Sequence, residues 1–122
     1  MNREKVIVMT DEELRIKTAE LLGYTEIKDR YLPVPWLMDL CENVLSGFLD
    51  SKLCVVKDYP NDIAAAWELE PRDRRREYGR ALIEVLGFEF GEPISWESTM
   101  DLAWTCALDR TRAFVLAMER LQ

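Results

Sequence analysis

Tyr59-Pro60-Asn61-Asp62-Ile63-Ala64-Ala65-Ala66-Trp67, then Pro71 and Arg72-Asp73-Arg74-Arg75-Arg76-Glu77-Tyr78-Gly79-Arg80, running on to Gly87, is the stretch around which the chain is organised. Asn61 or Asp62 suits the N-cap of a helix, and three consecutive alanines let that helix pack closely against a neighbour. Pro71 has no amide hydrogen to continue the helix, so a break is expected before Arg72. The second helix then places Tyr78, Ala81, Leu82, Val85 and Leu86 on one face and Arg72, Arg76 and Arg80 on the opposite, solvated face. Gly87 ends it.

Working outward, Thr10-Asp11-Glu12-Glu13 reads as a capping box that starts a helix carrying Leu14, Thr18, Leu21 and Leu22 on one face, closed by Gly23. Residues 1–9 are expected to be a flexible N-terminal extension or a short strand built on Val6-Ile7-Val8. Residues 24–31 read as a strand or extended edge. From Trp36, the residues Leu37, Leu40, Cys41, Val44, Leu45 and Phe48 recur at helical spacing after Pro35, which predicts a helix over residues 36–48. Leu53 to Val56 reads as a short strand. Phe88-Glu89-Phe90, a turn at Gly91-Glu92-Pro93, and Ile94-Ser95-Trp96 predict strand, turn and strand, with extended structure from Met100 to Cys106. A last helix beginning between Ala107 and Asp109 carries Phe114, Ala117, Met118 and Leu121, with Arg110 one turn earlier on the same face. The expected class is α+β, a small mainly antiparallel sheet flanked by helices in an α-β-α sandwich, and residues 10–122 form a single domain.

Composition narrows the function classes. The chain has 122 residues, 48% apolar and 32% charged, a length that buries one core. Sixteen Lys and Arg stand against 23 Asp and Glu, a formal charge of −7, so a basic nucleic-acid surface is not expected. Histidine is absent, which removes the commonest general base and zinc ligand. No spaced acid cluster or Gly-rich phosphate loop is found, so no metal, no cofactor and no enzymatic activity are expected. Without an apolar run of membrane-spanning length or a signal peptide, a cytoplasmic protein is expected. Cys41, Cys54 and Cys106 are read as buried free thiols, and Cys106, near Arg110, is the one candidate for a reactive setting.

The arginines work against local helix physics. A helix N-terminus is the positive end of the dipole, yet Arg74, Arg75 and Arg76 crowd one start and Arg110 and Arg112 another. Arginine forks beside free amides suit a phosphate or carboxylate, so Arg74, Arg75 and Arg110 are candidate ligand-binding residues, with Phe90 or Trp96 as a stacking ring. Surface pairing among Asp73, Arg76, Glu77, Arg80 and Glu84 is the alternative reading of the same charges, and both stay open. Trp36 and Trp67, on expected helices, read as core.

The segment from Thr10 to Tyr24, with Leu22-Gly23-Tyr24 at its end, resembles the start of small tailed-phage proteins that carry the phage ABA sandwich domain. Tyr59-Pro60-Asn61-Asp62 with its following helix is similar to a second pattern of that family, and Arg110, four residues before Phe114, matches an arginine in its last helix. Cys106-Ala107 stands where the family has Thr-Pro. The resemblance implies a phage or prophage protein acting in the bacterial host cytoplasm, with helices flanking a small sheet. By analogy with small phage proteins that sequester nucleotide signals of host immunity, it implies non-catalytic binding of a small anionic, nucleotide-like ligand. Because ligand sites often form between subunits, a homo-oligomer is a further expectation. The alternatives are an acidic interaction module that targets a host protein, or a virion or assembly component.

Overall fold

The computed structural model describes residues 2–87 and 106–121. The expected strands at residues 88–96, with Phe90 and Trp96, and the extended reading of residues 100–105 lie outside the described residues.

Helix α1 (Arg3–Val8) replaces the expected strand or flexible extension at the N-terminus. Asn2 caps it by accepting the Lys5 amide at 3.0 Å, and Val6 is wholly buried. Helix α2 (Asp11–Leu22) opens with the expected box: Thr10 Oγ1 accepts the Glu13 amide at 3.2 Å and Glu13 Oε1 accepts the Thr10 amide at 3.3 Å. Gly23 closes it at φ 102°, a left-handed conformation that favours glycine.

Strands β1 (Thr25–Pro33), β2 (Cys41–Leu49) and β3 (Lys52–Val55) form an antiparallel sheet in that order. The expected helix over residues 36–48 is therefore a correction. Only Pro35–Leu37 is helical, as a single 3₁₀ turn, and the chain then returns as β2. The physical reason lies in burial, because Val44, Leu45, Ser46 and Gly47 are buried in succession on both faces of the strand. A run of that kind carries no reliable period. Glycine suits position 47, since an added Cβ would lie 3.0 Å from the Thr25 carbonyl oxygen and push the strands slightly apart. Asp50 and Ser51, both at positive φ, make the two-residue turn between β2 and β3, the geometry of a type I′ hairpin.

Helix α3 (Ile63–Trp67) is capped by Asp62, which accepts the Ala64 and Ala65 amides. It stops before Pro71, as expected, and α4 (Arg75–Val85) follows with Tyr78, Ala81, Leu82 and Val85 buried. Helix α5 (Ala107–Arg120) packs against all four other described helices. Ala113, Phe114, Val115, Leu116 and Ala117 are all buried, so α5 rather than the α3–α4 pair is the hub of the core. Of the expected α5 stripe, Phe114 and Ala117 are buried, Met118 is half-buried and Leu121 is exposed.

Charged side chains tie the helices together at their ends. Arg3 donates to the Glu84 carbonyl at 2.9 Å, a cation at the negative end of α4. Glu84 pairs by both oxygens with Arg120 at 2.6 and 2.8 Å. The Arg120 hydrogen bond holds the Glu84 carboxyl below its ordinary pKa. A carboxyl depressed in the folded state contributes stability above its unfolded pKa and loses it as pH falls through the folded value. Arg120→Ala is therefore expected to weaken the fold at neutral pH and to flatten the decline on the acid side, measured as urea midpoints across an acid series.

Candidate functional site

Arg74 is the N-cap residue of α4, exposed, and makes no capping bond with its side chain. Arg75 is also exposed and reaches Glu70 at 3.8 Å. Arg110 is different. It is 5% exposed in the first turn of α5, and its guanidinium carbon stands 4.2 Å from the centroid of the Trp67 ring. Burial raises the pKa of the Tyr78 phenol, and the neighbouring Arg110 cation opposes that rise. The structure thus brings Arg110 together with Trp67 and Tyr78, from three helices.

Trp67 and Trp36 are 54% and 61% exposed, which corrects their reading as core. Trp67 lies at the last position of a five-residue helix and stacks on a buried cation while about half of its own surface stays exposed. The sequence signal was present in part, since a guanidinium beside apolar positions needs a partner; an aromatic face supplied it. The cysteines are a second correction: Cys41 and Cys106 are exposed and Cys54 is half-buried, Cys41 standing at the first position of β2, beyond the end of β3, and Cys106 at the N-cap of α5. Cys106 Sγ contacts Asp109 Oδ2 at 3.3 Å, and the Cys106 carbonyl accepts the Arg110 amide at 3.1 Å.

A deeper feature lies elsewhere. A cleft of about 670 Å³ opens between the start of α2, the loop from Lys57 to Asp62, and the distal part of the sheet. Local bonds build its walls. Arg15 of α2 donates to the carbonyl oxygens of Val56 and, at 3.2 Å, Lys57, which pulls the end of β3 toward the helix. Asn61 donates to both Asp58 and Asp11 at 3.2 Å, joining the loop to the first turn of α2. On the sheet side, Trp36 Nε1 donates to Glu42 Oε2 at 3.1 Å and sets the ring at the cleft margin.

Charge in this cleft is one-sided. Asp11, Glu12, Asp29, Glu42, Asp58 and Asp62 line it against Arg15 and Lys57, six carboxylates to two cations, a surplus of four negative charges. Both cations are occupied: Arg15 by the carbonyls, and Lys57 by Glu68 at 2.6 Å. The carboxylates of Glu12 and Asp29 make no hydrogen bond or ion pair among the described residues. Low-dielectric walls focus such a field, so the cleft attracts cations and repels anions. Among the described residues, no group of three or more acids or cysteines is placed to hold a metal ion.

No protein-family profile, curated protein or solved structure matches this chain. The functional argument therefore rests on the cleft, the arginines and the exposed apolar tip of the β1–β2 hairpin. That tip shows Tyr31, Trp36, Leu37, Met38 and Leu40 to solvent, with Met38 91% exposed. Adjacent exposed apolar side chains rimmed by charge mark an interaction surface. The expected helix over residues 36–48 puts Leu37 and Leu40 on its apolar stripe and Trp36 in the core, which hides the patch. No helix among the described residues is long and apolar enough to cross a membrane.

Proposed function

We propose that the chain is a non-catalytic interaction module whose acid-lined cleft receives a basic partner protein. The observation that carries this reading is the surplus of carboxylates in the cleft, whose two cations are engaged by other groups. The exposed hairpin tip beside Trp36 adds apolar contact area next to the charge, the combination that protein interfaces use. The likeness of the Thr10–Gly23 and Tyr59–Trp67 patterns to phage ABA sandwich proteins supports a protein of the bacterial host as that partner and the host cytoplasm as the place of action.

A labelled nonapeptide of alternating lysine and valine serves as the probe, with fluorescence anisotropy as the readout. Wild type binds it, and added salt weakens the binding because the carboxylates at the rim are screened. Combining Glu12→Lys, Asp29→Lys and Glu42→Lys is expected to weaken binding by about tenfold or more, since each exposed pair is worth roughly 0.2–1 kcal/mol and about 1.4 kcal/mol is a factor of ten. Circular dichroism confirms that the variant is folded. Equal binding by the folded variant would remove the reading.

Binding of a small anionic ligand is the second reading, and the exposure of Arg74 and Arg75 at the positive end of the 11-residue helix α4 favours it. Its ligand would be a nucleotide-like anion held outside the acid-lined cleft.

A further inference from the structure

Strand β2 outruns its neighbour β3. The two are paired from Leu49↔Lys52 to Ser46↔Val55, and the Val56 amide adds a last rung to the Leu45 carbonyl at 2.9 Å. Beyond Leu45, toward the hairpin tip, no described strand lies on that side of β2. Arg15 explains the departure, because it binds the carbonyls of Val56 and Lys57 and leads the chain away to α2. The space left beside β2 is the cleft, which Glu42, Asn43, Val44 and Leu45 line.

Antiparallel alternation decides which backbone groups face that space. The register pairs Arg30 with Val44 and Leu32 with Glu42, and the Val34 amide continues it to the Leu40 carbonyl at 3.1 Å. Even-numbered residues of β2 therefore exchange bonds with β1. Leu45 turns its carbonyl to the other side, as the Val56 bond shows, and Asn43 and Cys41 follow at the same period. The Leu45 carbonyl is taken by Val56, whereas the amides and carbonyls of Asn43 and Cys41 face the side that β3 has left, where no described strand meets them. An open strand edge is a template for another strand. The opposite edge of the sheet is blunted, for Pro33 of β1 has no amide hydrogen to offer.

We propose that this edge of β2 is a strand-addition site, a proposal that rests on the cleft reading given above. An extended segment of the basic partner lies beside Cys41, Asn43 and Leu45 in the place that β3 vacates. Its backbone bonds to Asn43, and its lysines or arginines, which project on one face of the added strand, meet Asp29, which shares the face of Leu45, and Glu12 of α2. The backbone bonds give register, while the charges select a basic segment over others.

The test uses the lysine–valine nonapeptide and two analogues, each N-methylated on one alternate set of its amides, with the full chain. Strand addition predicts that one analogue binds at least tenfold more weakly and that the other binds like the parent, because only one set of amides faces β2. Asn43→Pro removes an amide on the open side and leaves the β1–β2 ladder intact, so it is expected to weaken the parent peptide by a similar factor. The N-methyl comparison needs no protein variant and stands even if Asn43→Pro fails to fold. Equal binding of all three peptides to wild type, with loss of all three in the Glu12, Asp29 and Glu42 lysine variant, overturns strand addition and leaves the cleft reading in place. No binding of any peptide overturns both.

Discussion

Leu116→Ala is expected to lower the stability of the chain by about 2–5 kcal/mol, the range for truncating a wholly buried leucine. Leu116 has no exposed surface and lies within the run Ala113 to Ala117 of α5, every member of which is buried. The loss has two parts: the transfer of the deleted methyl groups from water is forfeited, and the surrounding side chains collapse only partly into the space. Because α5 touches α1, α2, α3 and α4, little of that space can be filled by shifting one neighbour. For a domain with about 5–15 kcal/mol in hand, the change is a large fraction of the whole. Urea denaturation followed by tryptophan fluorescence measures it. A loss well below 1 kcal/mol would mean that α5 is not the hub.

Arg110→Ala carries the second large effect, about 2 kcal/mol or more for a desolvated cation on an aromatic face, with lost packing of the alkyl stem added to it. Its guanidinium is 5% exposed and 4.2 Å from the Trp67 centroid, so α3 and α5 are joined through it. Arg110→Lys is expected to recover only part, because a compact ammonium lacks the planar face that stacks on indole. Trp67→Ala closes a double-mutant cycle, and the two losses are expected to add to less than their sum. If Arg110→Ala leaves the denaturation midpoint unchanged, its role is not packing and it belongs with Arg74 and Arg75 in the anion reading.

What the sequence made legible was local. Thr10 and Glu13 cap their own helix across three residues, Gly23 closes it, and Asp62 caps α3; each is decided within one turn of chain. The buried stripe of α4 was readable because only one face of that helix meets the core. The α+β class followed from such elements together with the extended readings at residues 24–31, 53–56 and 88–96, the last of which lie outside the described residues. Strand β2 was not readable. Its apolar residues fall at helical spacing by coincidence, while its burial comes from neighbours on both faces, and Asp50-Ser51 makes a hairpin turn without the Asn-Gly pair that announces one. The cleft was invisible for a related reason. It depends on Arg15 reaching Val56 and Lys57 across more than forty positions, and on Asn61 reaching Asp11 across fifty. Six carboxylates scattered from Asp11 to Asp62 look like ordinary surface until those bonds bring them to one place.

The most direct test of the central claim, that the acidic cleft and not the arginines of α4 is the binding surface, is a ¹⁵N–¹H correlation titration of the labelled chain, first with the lysine–valine peptide and then with ATP. The cleft account predicts saturable shifts with the peptide at Asp11, Glu12, Asp29, Asn43 and Asp58 and at the indole of Trp36, and none there with ATP. Peptide shifts that are absent or scattered over the surface, with saturable ATP shifts at Arg74 and Arg75, would contradict it.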